Sequence, residues 1–406
     1  MHDYGIQDLT HEAQLDKGLQ NEGNGTNLTS ETPIRNGFAN LQDENIVITD
    51  RAGIIENTHR IHAAIVDSNG TLLYKVGDPH RVTLLRSAVK PIQTLAIIET
   101  GAAQRFGYDD ADVALMCASH NSEPRHISRA QAILDKTGFG QDSLACGGHP
   151  AVSPEINRRW IKEDFTPTSI CSNCSGKHAG MIAAAVTLGA TVHDYNKLHH
   201  PVQQYVKRAT EDLSGLGEDE IQWGVDGCNA ATPALPLYNF ALMFARLAEA
   251  RNGSAKGVSG QGSPKSCKRT EDLARIYKSM STYPELVAGE GRFCTVLMEA
   301  YKGLLVGKVG ADGCYGIALC APPDGLLLEG AEQCAIGIAV KVEDGNLDIL
   351  YSAVPEILQQ LNIGTEEMRN KLASFHHPPI LNTAKVLTGG ISHMFKMQKV
   401  DENGKL

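Results

Sequence analysis

Ser87 and Lys90 form the one Ser-x-x-Lys pair in the chain. At a spacing of i, i+3 on a helix both side chains lie on one face, close enough for the amine to take the hydroxyl proton. Pro91 is tolerated only near the beginning of a helix, so the stretch Ser87–Ile98 predicts a helix with Ser87 at or just before its first turn. A helix N-terminus favours a developing alkoxide and disfavours an ammonium, which moves both groups toward the states a nucleophile and its base require. A capping serine followed by a surface lysine would use the same two residues, so their surroundings must separate the two uses.

Two further pairs follow in the chain: Ser119 and Asn121 in Ser119-His120-Asn121, and Lys308 and Gly310 in Lys308-Val309-Gly310. The order Ser-x-x-Lys, Ser-x-Asn, Lys-x-Gly resembles that of the penicillin-recognising serine enzymes. Chemically, a second hydroxyl relays protons, and a second lysine beside the first lowers its pKa by charge repulsion. Another cluster, Cys171-Ser172-Asn173-Cys174-Ser175-Gly176-Lys177-His178, leads through Gly180 into a helical run. Its Cys-x-x-Cys pair fits a redox couple or half of a zinc site. With no second such pair, a four-thiolate ribbon is excluded. Cys171 in place of glycine, and His178 after Lys177, exclude a phosphate loop. Asp226-Gly227-Cys228 adds a distant carboxylate and thiol.

The elements that must bring these residues together are readable in outline. The β-prone runs His62–Val66 and Thr71–Val76 flank Asp67, Ser68, Asn69 and Gly70 and predict a hairpin. Helical periodicity recurs over 125–137, 178–189, 201–212, 236–250 and 270–280, and apolar β-like runs over 303–309, 314–320, 334–342 and 347–352. Strands early, helices in the middle and strands late predict an α/β sheet whose edge strands come from both chain ends. Residues 1–45 are polar and read as a disordered tail. Residues 46–390 read as a single catalytic domain and 391–406 as a C-terminal tail. Within the domain, the Gly/Ser-rich stretch 252–268 reads as a solvated insertion loop.

Of the 406 residues, 42% are hydrophobic and 21% charged, enough for a sizeable core. Lys+Arg 37 against Asp+Glu 47 leaves a charge of −10, which repels nucleic-acid phosphates and anionic lipid. Nucleic-acid and membrane partners are therefore not expected. The best apolar run, Met181–Ala190, falls short of the roughly 18 residues that a membrane span needs. The start MHDYGIQDLTHEAQ lacks the basic and apolar regions of a secretory signal, so a cytoplasmic location is the expectation. Ten cysteines in a chain of this length are too dilute for a disulfide framework.

Taken together these motifs resemble the serine-type, rhizobial-type L-asparaginases of the asparaginase II family. The resemblance is carried by Leu85-Arg86-Ser87-Ala88-Val89-Lys90-Pro91, Cys117-Ala118-Ser119-His120, Asn173-Cys174-Ser175-Gly176-Lys177-His178-Ala179-Gly180-Met181, Val225-Asp226-Gly227-Cys228 and Lys308-Val309-Gly310-Ala311-Asp312-Gly313. It runs from about Ile46 to about Val386. It implies an α/β (α+β) fold like that of β-lactamases and penicillin-binding proteins, a mixed sheet flanked by helices. It also implies hydrolysis of L-asparagine to L-aspartate and ammonia through an acyl-enzyme. Ser87 would be the nucleophile and Lys90 its base, with Ser119 and Lys308 a second Ser/Lys couple. Lys302 competes for the last role, but Lys308 has the matching context. Arg86, His178 and Asp226 would line the substrate site, Asp226 toward the substrate's α-ammonium. Cys174, Lys177 and Cys228 would hold one zinc per chain, and the working unit would be a homodimer. The polar N-terminal tail, the insertion and Cys171 depart from the pattern. Two other readings stay open: a glutaminase or β-lactamase-like serine hydrolase, and a non-catalytic zinc- or amino-acid-binding protein in which Ser87 is only a helix cap.

Overall fold

The computed structural model describes residues 44–251, 264–320 and 334–400. The tail 1–43, the insertion residues 252–263 and the last six residues lie outside these.

Among the described residues, nine strands form the main sheet and three form a smaller one. The strands are β1 (Ile46–Arg51), β2 (Ile54–Asp67), β3 (Leu72–Val76), β4 (Val82–Leu84), β5 (Gln222–Val225), β6 (Ala231–Pro236), β7 (Leu305–Gly310), β8 (Cys314–Leu319), β9 (Ile336–Val342), β10 (Ile380–Leu381), β11 (Leu387–His393) and β12 (Gln398–Lys399). The main sheet runs β10-β11-β1-β2-β9-β8-β7, with β3 pairing β2 and β12 pairing β3. Its pairings are antiparallel. The α/β fold with helices flanking the sheet is consistent with the expected β-lactamase-like class, but the sheet is antiparallel rather than mixed.

The β2–β3 hairpin forms where the sequence predicts it, Ile65 opposite Tyr74. β2 is long enough to serve two neighbourhoods. Its first half pairs β1, and its second half lies between β3 and β9. That second half is buried along its length, as are β7 and β8, which fits strands covered on both faces. On β8 the faces can be told apart. Tyr315 donates its hydroxyl to Cys294 on the helix Phe293–Tyr301, whereas a side chain at Gly316 would strike Phe240 and Phe244 of the helix Leu237–Arg251. Neighbouring strand residues point to opposite faces, so the sheet is sandwiched between these two helices.

Five expected helices are present, as Pro124–Asp135, Ser175–Thr187, Pro201–Ser214, Leu237–Arg251 and Pro264–Thr282. Four expectations are corrected. The run 347–352 is the first part of the helix Leu347–Gln360, started by the Asn346 side chain, which accepts from the N–H groups of Asp348 and Ile349. The outermost strands of the main path, β10 and β7, both come from the later part of the chain, while the early β1 and β2 are interior. Finally, the expected tail from 391 carries the end of β11, the buried Phe395 and β12, so the fold extends through Lys399, and residues 264–268 of the expected insertion belong to a helix.

Candidate active site

The small sheet sets two of the sequence motifs side by side. β4 and β5 both run antiparallel to β6, so their C-terminal ends leave the sheet on the same side. One end leads to Ser87 and the other to Asp226, Gly227 and Cys228. Leu85 N–H bonds the Pro233 carbonyl at 3.0 Å, and the chain then makes a 3-10 turn, Arg86–Val89, that runs straight into the helix Lys90–Glu99. Nine of the ten residues of this helix are buried, so it is a central helix and a fixed platform. Ser87 is partly exposed at its mouth.

Arg86 has φ +51, a left-handed conformation that a side chain avoids. Two carboxylates hold it there: Nε donates to Asp226 at 2.5 Å, and the guanidinium also pairs with Asp312. In this structure Arg86 therefore occupies Asp226.

Lys90, Ser119 and Lys308 meet in one buried cluster. Lys90 Nζ donates to the Ala118 carbonyl and lies 3.0 Å from Ser119 Oγ, and Lys308 Nζ lies 2.8 Å from the same oxygen. These bonds of Lys90 run to Ala118 and Ser119 rather than to Ser87. Ser119 is fixed by its own N–H, which bonds the Val287 carbonyl at 2.9 Å. Lys308 comes from β7, and Gly310 explains how that strand comes so close: a Cβ there would run into the Leu85 carbonyl and lie 3.2 Å from Ala88 N. Only a glycine lets the strand rest on the serine turn. Burial and the neighbouring Lys90 charge push the Lys308 amine down to about 7. A neutral amine is thus within reach near neutral pH.

The second cluster is Cys174, Lys177 and Cys228. Cys174 precedes the helix Ser175–Thr187, which approaches the earlier helix Asp110–Met116 so tightly that a Cβ at Gly176 would lie 2.6 Å from the Leu115 carbonyl. Lys177 Nζ is 3.1 Å from Cys228 Sγ. A hydrogen bond from Cys174 and the charge of Lys177 pull the Cys228 thiol well below its ordinary value despite burial. His178 is wholly enclosed. Its Nδ1 is 2.6 Å from Tyr195 Oη, whose hydroxyl oxygen also accepts the Ala145 N–H at 2.8 Å, so the tyrosine donates and His178 carries its proton on Nε2. That buried Nε2 has no hydrogen-bond partner among the described residues. Two thiols and the Lys177 nitrogen converge here, with His178 beside Cys228. The pair of sulfurs suits a thiophilic ion such as zinc.

Sequence reasoning did not single out Asp312 and Tyr195. Asp312 lies inside a quoted motif, at φ +56 in the β7–β8 turn, where Asp-Gly is a hairpin signal. Tyr195 carries no local signal, because only the fold brings it to His178. Cys171 is buried, and all ten cysteines are free thiols.

The sequence profile of the L-asparaginase II family matches residues 47–393. The chain belongs to this family. None of the curated protein sequences matches the chain. Among solved structures, it is similar to Mglu in its native form, with 14% identity, a TM-score of 0.38, and coverage of 75% of this chain and 64% of that one. It is also similar to Mglu in its native form in 4.3M NaCl, with 12% identity, a TM-score of 0.36, and coverage of 75% and 61%. The chain thus spans less than two thirds of the length of either. Among the described residues no helix is long and apolar enough to cross a membrane.

Proposed function

We propose that the chain hydrolyses L-asparagine to L-aspartate and ammonia through an ester on Ser87. The observation that carries this reading is the Ser119 hydroxyl shared by two buried amines, one of them pushed toward neutrality, beside the partly exposed Ser87 turn. Two ammonium groups about 3 Å from one oxygen repel each other, so the group favours holding a single proton between them. Lys90 passes a proton through Ser119 to the neutral Lys308 amine, and the Ser87 hydroxyl then gives its proton to Lys90 as its oxygen adds to the amide carbon. Ser119 passes the proton between the amines, and the same group returns a proton to the departing ammonia. Water then enters by the reverse path and releases aspartate.

Ammonia release from asparagine and from glutamine, measured for wild type and Ser87→Ala in parallel, tests the reading. Asparagine is expected to be the faster substrate, and Ser87→Ala to lose at least about a thousandfold, in line with removal of a nucleophile. Equal rates in the two proteins would overturn the role of Ser87, and faster glutamine turnover would overturn the substrate.

Cys174, Lys177 and Cys228 would hold one zinc per chain, with Lys177 neutral when it binds. Zinc there would supply a fixed positive charge beside the substrate site. Atomic absorption should find about one equivalent fewer in Cys228→Ser than in wild type.

A further inference from the structure

We propose that His376, His377 and His393, backed by Glu356, form a second metal site, for a divalent first-row ion that prefers imidazole. One ring nitrogen from each histidine lies within 4.8 Å of the others. The three come from separate places: the end of the helix Ala373–His376, the residue after it, and the end of β11. Glu356 and Ser352 reach in from the helix Leu347–Gln360.

The hydrogen bonds around the rings fix where their lone pairs are. Ser352 donates its hydroxyl to the Ile349 carbonyl at 2.9 Å, so its oxygen can only accept from His393 Nε2, 3.2 Å away. His393 therefore carries its proton on Nε2 and its lone pair on Nδ1. That lone pair lies 3.7 Å from Glu356 Oε2. Two acceptors facing each other across this distance repel, and a cation bound to the ring nitrogen offsets the conflict. His376 Nε2 is 2.7 Å from the same carboxylate oxygen, and donation to it leaves the Nδ1 of His376 as a ligand atom. A carboxylate that accepts from a histidine in this way is the usual device for orienting a ligating ring.

The rings also stack, His376 on His377 at 3.8 Å between centroids. Tetrahedral coordination at about 2.0–2.1 Å requires nitrogens about 3.3 Å apart, so the exposed His377 ring must turn out of the stack to aim its lone pair at the same ion. His393 and His376 are nearly enclosed, with 3% and 9% of their side chains exposed, while His377 is exposed and gives an ion access. Three imidazoles oriented by a carboxylate select zinc, cobalt or nickel over magnesium or calcium. Such an ion would clamp the last long strand of the sheet to the helix beneath it.

The test uses the full chain, stripped with chelator and titrated with Co²⁺ or Zn²⁺ alone. Cobalt held by imidazole and carboxylate shows d–d absorption without the strong near-ultraviolet band of cobalt–thiolate, so this site is distinguishable from the cysteine cluster in wild type. The expected result is one equivalent with the thiolate-free spectrum, persisting in Cys174→Ser/Cys228→Ser, together with a melting temperature that rises with zinc concentration. His377→Ala and His393→Asn should weaken it at least tenfold. The exposed His377 can be truncated without disturbing packing, so near-ultraviolet circular dichroism of His377→Ala should match wild type. A thiolate-free spectrum absent from wild type, or unchanged in both histidine variants, would overturn the site.

Discussion

At the scale of single residues, the consequential number is the Lys308 amine near 7. Below that pH the amine is an ammonium and cannot accept a proton, and above it the amine is free. Turnover that uses this amine should therefore rise about tenfold per pH unit below 7 and level off above it. In Lys308→Met this limb should vanish and the rate fall by about 10² to 10⁴, the usual contribution of a proton-transfer group, as kcat/KM profiles will show. Stability should move with the same residue. In the unfolded chain a lysine keeps its proton to about 10.4, so between about 7 and 10 the unfolded state binds more protons than the native one, and stability rises with pH. Urea midpoints across that window should climb in wild type and be flatter in Lys308→Met. Ser87, Lys90, Ser119 and Lys308 were legible as types and order in the chain. That Lys90 turns to Ser119, and that Arg86 engages Asp226, depends on a three-dimensional meeting that spacing does not encode.

At the scale of elements, the glycine of the Lys-x-Gly motif does the positioning. A methyl group at Gly310 would strike the carbonyl that precedes the serine turn. Gly310→Ala should push β7 away from that turn, costing about 1–3 kcal/mol, typical of overpacking, together with much of the activity. Denaturation midpoints and ammonia release measured on the same sample will show both. Elements with long periodic patterns were legible, among them the helices Pro201–Ser214 and Leu237–Arg251 and the β2–β3 hairpin. The helix Leu347–Gln360 was not, because Ile349, Leu350, Ala353, Val354, Ile357 and Leu358 show their 3.6-residue period only over two or more turns. A six-residue window at its beginning looks like a strand. β12 is two residues long and pairs with a strand more than three hundred residues earlier, a non-local bond that leaves no local trace.

At the scale of the molecule, the sheet is closed by its last strands. β11 pairs β1, and Phe395, which follows it, is wholly buried. Phe395→Ala should cost about 3–5 kcal/mol, the range for emptying a buried aromatic position, and lower the urea midpoint accordingly. The order of strands also sets a timetable. Ser87 and its helix leave the ribosome early, but the amine facing Ser119 from β7 follows more than two hundred residues later, and the strands that shut the sheet later still. Translation thus proceeds with the Ser119–Lys308 contact missing, and the cluster beside Ser87 is assembled only after most of the chain has been made.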